Sequence, residues 1–429
     1  MSGSAKISRE VVEKAPAPSL CVSHSQAYVG RGVARVEKRI VTRESDFDNE
    51  LYERFSDDNG RTWGAWKDIY KATYAARGTA ELLWPSPSAG TWNPVHGHAV
   101  ALNMQRIFPE GHEEGYRLFW KEGRRGFYDH TFLWVSEDSL HWTPQLVRYE
   151  NGEEFHADDW CEKGYLENNG AYAGCNLEVL PNGDVLFAVS ARMTSCCRIL
   201  GVDVRDAFPS CPQIMGGLIV FRGSWDRARG LYSLVPSRPA VISDLESSRG
   251  IDEPVVLPLA SGLVAVVFRG SNMMSKEQGT RIRKGTPSYK WFLFSEDGGR
   301  TFTKPVPWHW DDGEVLYSPA SISGWLRSSR NGRGYWFGNA TGPEAYANAP
   351  RYPLIMAEVE EETGFLVKGS RTIVEDRDPA TESEKLQLSN FTLLDDRETG
   401  RIELSMTKLG ANRDDFWRSD AYRYCIEVS

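Results

Sequence analysis

A short motif that recurs along the chain constrains the fold more than any other feature of this sequence. Residues 56–63 read SDDNGRTW and residues 295–302 read SEDGGRTF, so both match the pattern S-x-D-x-G-x-T-aromatic. Residues 136–142, SEDSLHW, are a third copy that is shorter by one residue. In such a motif the aspartate can accept hydrogen bonds from turn amides, and glycine permits a positive φ. Because the second and third copies in chain order follow apolar runs, we predict a β-hairpin turn at each copy.

A longer repeat sets the period of the fold. Two segments that begin 77 residues apart, 176–192 and 253–269, each read as strand, Leu-Pro turn, strand and a terminal arginine. A unit of this length accommodates four antiparallel strands with their loops, and 429 residues hold between five and six such units. The repeats therefore predict an all-β chain, a six-bladed β-propeller of four-stranded antiparallel blades. We expect an N-terminal arm over residues 1–24 and a single propeller domain over residues 25–429.

Composition excludes several classes of function. The sequence contains no run of about 18 apolar residues, which disfavours a transmembrane helix. A net charge of −9 without a lysine- or arginine-rich block disfavours nucleic-acid binding. The seven cysteines include no C-x-x-C pair, so we expect reduced, structural cysteines and neither a metal nor a cofactor. No apolar signal segment opens the chain, which indicates a cytoplasmic location, or a secreted or periplasmic one if a signal peptide has been removed.

Taken together, the short motifs and the longer repeat resemble the Asp-box (BNR) repeats of propellers in the sialidase (neuraminidase) superfamily. Residues 253–269 resemble the sialidase stretch that carries a glutamate and the second of three arginines that bind the substrate carboxylate. Residues 351–355, RYPLI, resemble the stretch that carries the third arginine. The resemblance thus implies a catalytic role for Glu253 and carboxylate binding by Arg269 and Arg351.

The resemblance also directs attention to the opening strands. The family's first arginine would lie there, and this chain offers Arg31 and Arg35. The family carries its acid/base aspartate in a loop after the first strand, which here is the acidic segment 43–48 and implies Asp46. The family's nucleophilic tyrosine has no counterpart, because the corresponding segment 388–394 reads LSNFTLL. The expected protein is therefore sialidase-like but lacks the usual nucleophile.

The residue types themselves suggest an anion-binding site. Arg192, Arg269 and Arg351 lie near the ends of apolar strands, and equivalent strand ends gather on one face of a propeller. Because a guanidinium binds a carboxylate or sulfate through two parallel hydrogen bonds, converging arginines suit an anionic sugar. The alternative is that each arginine pairs with a structural carboxylate between blades.

Other side chains could contribute a base, a proton donor or a stacking surface. His96 and His98 would lie on one face of a strand, where they could form a base, a sugar contact, a metal pair or simple packing. Tyr172 and Tyr317 each precede a strand and could donate a proton or stack on a sugar. Trp160, in a polar loop, is a further candidate stacking surface.

Three functions remain open at this point. The first is an exo-acting glycoside hydrolase on an anionic oligosaccharide, with arginines on the carboxylate and a Glu/Asp pair as acid and base. The second is a polysaccharide lyase that uses His96, His98 or Tyr172 to remove the proton beside a uronate carboxyl group. The third is a carbohydrate-binding propeller without turnover.

Overall fold

The computed structural model describes residues 5–70, 74–87, 89–152, 155–209, 215–274 and 280–429. Its strands form six sheets, which are the blades of a six-bladed β-propeller, so the predicted fold class is confirmed. Five sheets have four antiparallel strands, and the second blade carries extra strands at its inner edge. Among the described residues, no helix is both long enough and apolar enough to cross a membrane.

The first strand of the chain belongs to the last blade. It is β1 (Lys6–Glu13). Blade 1 contains β2 (Cys21–Tyr28), β3 (Arg35–Thr42), β4 (Glu50–Ser56) and β5 (Lys67–Asp68). Blade 2 contains β6 (Tyr74–Arg77), β7 (Ala80–Leu83), β8 (Thr91–Asn93), β9 (His98–Phe108), β10 (Tyr128–Ser136) and β11 (Thr143–Leu146). Blade 3 contains β12 (Ala171–Val179), β13 (Val185–Arg192), β14 (Met215–Asp226) and β15 (Leu231–Pro236).

The second half of the chain completes the ring. Blade 4 contains β16 (Asp252–Pro258), β17 (Val264–Arg269), β18 (Lys290–Ser295) and β19 (Val306–Pro307). Blade 5 contains β20 (Gly324–Arg327), β21 (Gly334–Asn339), β22 (Leu354–Glu358) and β23 (Thr372–Glu375). Blade 6 contains β24 (Phe391–Asp395), β25 (Ile402–Thr407), β26 (Ala421–Glu427) and β1. The connections carry α1 (His112–Glu122), α2 (Lys163–Glu167), α3 (Met193–Leu200), α4 (Val204–Ala207) and the 3-10 helices Ala157–Asp159 and Lys368–Ser370.

Blade 6 joins the two ends of the chain. β1 pairs antiparallel with β26, with Lys6 opposite Glu427 and Val11 opposite Tyr422. The sequence predicts an N-terminal arm over residues 1–24, whereas in the structure residues 6–13 form the outermost strand of a blade. Pairing the first strand with the last closes the ring without an open seam, because each terminus satisfies backbone groups of the other.

The three copies of the short motif occupy equivalent turns. Each connects the two outermost strands of its blade, at the ends of β4, β10 and β18. Asp58 accepts hydrogen bonds from the amide and hydroxyl of Thr62 at 2.8 and 2.7 Å, and Asp297 does the same with Thr301 at 3.0 and 2.6 Å. We call the end of the propeller with these turns the lower face. The upper face is the end at which the innermost strands β2, β12, β16, β20 and β24 begin.

The longer repeat aligns differently in space than in sequence. In the β12–β13 turn the amide of Gly183 donates a hydrogen bond to the carbonyl of Leu180. In the β16–β17 turn the amide of Gly262 donates the equivalent bond to the carbonyl of Leu259. The β12–β13 turn therefore begins at the leucine of its Leu-Pro pair, whereas the β16–β17 turn begins two residues after the leucine of its pair. Arg269 is thus not the structural counterpart of Arg192, because the number of residues between turn and Leu-Pro pair differs in the two hairpins.

An axial cavity of about 920 Å³ runs between the blades. Its walls are the inner strands β2, β12, β20 and β24 together with residues 89–95. Cys175 lies at the end of the cavity nearest the upper face, while Arg327 and Arg397 lie at the lower face. Clusters of apolar side chains pack between neighbouring blades and form the hydrophobic core.

Candidate active site on the upper face

Arg351 is the centre of a cluster of charges on the upper face. The residue is 9% exposed, and its guanidinium donates hydrogen bonds to Gln387, Ser389 and the carbonyl of Ala320 at 2.8, 3.3 and 2.9 Å. In the described part of the chain, no carboxylate lies within ion-pair distance of Arg351, and its Nε has no hydrogen-bond partner. Burial, followed by the charge of Arg269, lowers the pKa of Arg351 to about 10. The site therefore contains a buried cation without a counter-ion.

Blade 4 places a carboxylate and a second guanidinium beside Arg351. Arg269, at the end of β17, donates to Glu253 at 2.7 Å and lies 3.3 Å from Asp252. Arg249, which precedes β16, lies 3.4 Å from the same Asp252. Two carboxylates thus neutralise two arginines here, which leaves the charge of Arg351 uncompensated.

The backbone at Glu253 is irregular in a way that directs its side chain. The pairing of β16 with β17 shifts register between Asp252 and Val255, so Glu253 lies in a bulge. Its φ is 46°, a left-handed conformation that non-glycine residues rarely adopt. Such strained positions persist where the surrounding structure holds them, and they concentrate at functional sites.

Asp46 lies on the loop between β3 and β4, at the same face. It is exposed, its φ is 62°, and its charge acts on Arg351. The hydroxyl of Tyr116, in α1, donates a hydrogen bond to the backbone carbonyl of Asp46 at 2.6 Å. An inserted helix of blade 2 therefore supports a loop of blade 1, and it holds the Asp46 backbone in place at the edge of the cluster.

A buried ion pair lies below Tyr116. Arg106, on β9, binds both carboxylate oxygens of Asp129 at 2.7 and 2.9 Å. Its guanidinium also lies 4.2 Å from the ring centre of Phe127 and 5.8 Å from that of Tyr172. Because Asp129 neutralises Arg106, this arginine holds Tyr172 and the neighbouring rings in position and offers no free charge to a ligand.

Tyr172 and Cys175 come from the innermost strand of blade 3. Both are close enough to Glu253 for its charge to act on them, and Cys175 Sγ lies 3.7 Å from the Glu253 carbonyl. Burial, followed by the charge of Glu253, raises the pKa of Tyr172 well above its usual range. Its hydroxyl therefore stays protonated and can donate a hydrogen bond to a ligand.

The two arginines predicted from the opening strands lie at the opposite end of the propeller. Arg31 is exposed in the β2–β3 turn, and Arg35 begins β3, so both belong to the lower face. Arg35 forms ion pairs with Asp396 at 2.5 Å and Glu403 at 2.9 Å, which joins blade 1 to blade 6. Strand direction explains the placement, because a residue that begins a second strand lies at the end where the first strand finishes. Neither arginine is part of the upper-face cluster.

The two histidines also lie at the lower face, between blades 2 and 3. His98 is 3% exposed, and its Nε2 is 2.8 Å from the hydroxyl of Tyr232. Both imidazoles contact the ring of Trp225, His96 stacked at 6.2 Å between ring centres and His98 tilted at 4.1 Å. Burial lowers the pKa of His98 to about 4, so its neutral ring packs between blades. The structure thus separates the histidines from Glu253 and Arg351.

Three further candidates lie at the upper end but outside the central cluster. Arg192 donates to the carbonyl of Glu167 and lies 3.3 Å from its carboxylate. Tyr317 stacks on Tyr289 with ring centres 5.4 Å apart. Trp160 is partly buried and packs on the hydrophobic cluster formed by blade 2 and α2. The contact of Arg192 with Glu167 corresponds to the structural alternative considered for the arginines.

The structure adds residues that the sequence analysis missed. They are Arg106, Tyr116, Asp129, Cys175, Arg249 and Lys290. Lys290 is the first residue of a strand, Asp129 is the second residue of another, and Arg106 lies near the end of a third. Equal strand position, rather than likeness to a motif, is the signal that could have identified them. Among the described residues no group of three or more His, Cys, Asp or Glu side chains is arranged to hold a metal ion.

Comparisons with known proteins support the fold. No family model matches the sequence, and no curated protein matches it. A protein of unknown function from Dyadobacter fermentans DSM 18053 has a similar structure, with a TM-score of 0.55, 14% identity and coverage of 98% of this chain and 99% of that chain. The Hadza microbial sialidase Hz136 matches with a TM-score of 0.50 and 9% identity, over 95% of this chain and 66% of that chain. The GH93 α-L-arabinofuranosidase of Fusarium graminearum matches with a TM-score of 0.47 and 8% identity, over 98% and 97% of the two chains.

Proposed function

We propose that this protein is an exo-acting glycoside hydrolase that removes an anionic sugar from the end of an oligosaccharide. The buried, unneutralised guanidinium of Arg351 is the observation that carries the proposal. A buried cation without a partner is costly, and a ligand carboxylate that pairs with it recovers that cost on binding. Arg269 and Arg249 add positive charge beside it, partly balanced by Glu253 and Asp252.

The reaction assigns one role to each of two carboxyl groups. Asp46, on an exposed loop, protonates the oxygen of the leaving sugar. Glu253, held by Arg269 at 2.7 Å, either activates the attacking water or attacks the anomeric carbon itself. One water is consumed and two sugars leave, one with the former linkage oxygen and one with the oxygen of water. Tyr172, with its pKa raised, contributes a hydrogen bond rather than a nucleophilic oxygen in this scheme.

The lyase alternative loses two of its three candidate bases. His96 and His98 lie at the lower face, and the raised pKa of Tyr172 opposes the loss of its proton. A lyase would need a neutral base or a tyrosinate within reach of the uronate C5 proton. None of the three bases predicted from the sequence therefore has both a place on the upper face and a form ready to take up that proton.

The deciding experiment is mass spectrometry of anionic oligosaccharides after incubation with the protein. Substrates that end in a sialic acid, a uronic acid or a sulfated sugar cover the relevant anions. We expect one class to yield two products whose masses sum to substrate plus water. Products that sum to the substrate alone, one of them unsaturated, would show a lyase, and an intact panel that nevertheless binds would show a binding protein.

Variants connect the activity to the site. Arg351→Met is expected to abolish binding of the oligosaccharide that the protein cleaves. Arg31→Met, which removes an exposed arginine from the lower face, is expected to leave that binding unchanged. Glu253→Gln and Asp46→Asn are expected to lower turnover by at least about 100-fold. Equal loss in Arg31→Met and Arg351→Met would contradict a specific site on the upper face.

A further inference from the structure

A buried lysine lies directly under the charge cluster. Lys290 is the first residue of β18 and is paired in register with Arg269 on β17. It is fully buried, with 0% of its surface exposed, and its Nζ donates a hydrogen bond to the carbonyl of Ser321. No carboxylate in the described chain lies within ion-pair distance of its ammonium. A lysine so placed is unusual, because buried ammonium groups are normally paired.

The same short segment holds Lys290 and Arg351. The carbonyl of Ala320 accepts a hydrogen bond from Arg351 at 2.9 Å, and the next carbonyl, that of Ser321, accepts from Lys290. The segment is anchored by backbone bonds from Ser318 to Ser288 and from Ala320 to Ala347. Two cations of different blades are therefore bound to consecutive peptide groups.

The charges that face Lys290 come from four elements. They are Arg269 on β17, Glu253 on β16, Cys175 on β12 and Arg351 in the loop before β22. Two are cations and one is a carboxylate already engaged by Arg269. Burial, followed by the charge of Arg269, lowers the pKa of Lys290 to about 7. Without a ligand, the lysine therefore carries a proton only part of the time near neutral pH.

We propose that Lys290 is a positioning residue that takes up a proton when an anion binds at Arg351, and that it thereby makes the anion affinity of the site rise as the pH falls. This inference rests on the proposed function, since it assigns the anion to the same site. A bound carboxylate or sulfate offsets the repulsion among the three cations, so it favours the charged ammonium. By linkage, the protonated lysine favours the anion to the same extent.

Linkage also sets the size of the effect. For one proton taken up on binding, the affinity falls by up to tenfold for each pH unit above the pKa of the unliganded group. We expect anion affinity to fall roughly fivefold between pH 6 and pH 8 in the unmodified protein. In Lys290→Met, which keeps the length of the side chain without its charge, affinity should be low at both pH values and nearly constant.

The test combines two measurements on the full chain. The first is an NMR titration of protein labelled with ¹³C at lysine Cε, in which the Lys290 signal is identified by its absence in Lys290→Met. This signal should titrate near neutral pH, and the midpoint of its titration should move to higher pH when sodium sulfate or glucuronate is added. Isothermal titration calorimetry with these anions, in two buffers of different ionisation enthalpy, should show proton uptake. Lys408→Met is the control, because Lys408 is also buried but is paired with Glu382 at 2.5 Å and Glu375 at 3.5 Å.

The outcomes separate the two proposals. If the anions bind and Arg351→Met abolishes binding, but Lys290 stays charged at all pH values or its titration ignores the anion, the lysine proposal is overturned and the anion site stands. If neither anion binds in a manner that depends on Arg351, the anion site of the proposed function fails, and the lysine proposal fails with it. The calorimetric proton uptake is measured on unmodified protein, so this readout does not depend on whether Lys290→Met folds.

Discussion

Glu253 accepts a hydrogen bond at 2.7 Å from Arg269, a residue that is 16 positions away in the chain and on the neighbouring strand of the same blade. The contact pairs the Glu253 carboxylate with Arg269, while Arg351 has no ion-pair partner among the described residues. In the proposed mechanism this contact couples catalysis to binding, because Glu253 acts on the substrate and also sets how much of the positive charge of Arg269 is left to hold it.

Neutralising Glu253 should therefore change binding and turnover in opposite directions. In Glu253→Gln, Arg269 keeps a hydrogen-bond acceptor but loses a negative partner. We expect turnover to fall by at least about 100-fold, while affinity for a substrate anion rises by a few fold. Calorimetric binding and initial rates on the cleaved oligosaccharide measure the two effects. Asp57→Asn, an exposed carboxylate at the lower face, is the control, and a parallel loss of binding in Glu253→Gln would refute the coupling.

Asp46 should tolerate glycine structurally but not functionally. Its φ of 62° is a conformation that glycine adopts without cost, and its side chain is exposed. Asp46→Gly should keep the free energy of unfolding within about 1 kcal/mol of the unmodified protein, yet lose at least about 100-fold in turnover. Urea unfolding and rate measurements on the same preparation decide the matter, and unchanged turnover would remove Asp46 from the mechanism.

Arg351 and Arg106 should differ sharply in what they contribute to stability. Arg106→Met leaves Asp129 buried and unpaired, which should cost about 3–5 kcal/mol. Arg351→Met leaves no carboxylate without its partner, and it removes a charge that is costly to bury. The loss of its hydrogen bonds should therefore be largely offset, and the free energy of unfolding should change by no more than about 1 kcal/mol. Chemical denaturation of both variants tests this. Equal destabilisation would mean that Arg351 is a structural group.

Glu178 should make stability depend on pH from inside the axial cavity. Burial raises its pKa from 4.5 to about 7, and the amide of Asn176 donates to it at 2.8 Å. A carboxyl group with a raised pKa stabilises the fold fully below pH 4.5, and this contribution is lost as the pH rises to about 7. Glu178→Gln, which mimics the neutral form, should therefore match the unmodified protein at pH 4.5 and exceed it by about 2 kcal/mol at pH 8. Thermal unfolding at both pH values measures this, and an equal difference at the two would contradict it.

Cys175 lines the axial cavity, yet its thiol should react slowly with alkylating reagents. Burial and the charge of Glu253 raise the pKa of its thiol, so little thiolate is present at neutral pH. Alkylation by iodoacetamide should accelerate about tenfold for each pH unit between 7 and 9, and the adduct should inhibit turnover. Peptide mapping by mass spectrometry follows the reaction, with buried Cys196 as the internal control. Rapid labelling at pH 7 would show that the surroundings of Glu253 differ from those described.

Part of the site could be anticipated from the sequence and from its resemblance to the sialidase superfamily. Glu253, Arg269, Arg351 and Asp46 were each proposed from the sequence, and the structure brings their charges together at one face. Arg31 and Arg35 were proposed in the same way and lie at the other face. Strand direction causes the difference. Successive strands of a blade run in opposite directions, so their ends alternate between the two faces, and a sequence motif does not specify the face at which its strand ends.

What the sequence by itself determined was local: turns in which Asp58 and Asp297 bind the amides that follow them, alternating apolar strands, and a period that fits six blades. These properties depend on neighbours within a few residues, so a repeated motif is enough to specify them. Which charges are neutralised was decided only by the tertiary structure. Arg35 meets carboxylates of the last blade, whereas Arg351 meets only neutral acceptors within hydrogen-bond distance. Ion pairing depends on distances between residues hundreds of positions apart, and only closure of the propeller sets those distances.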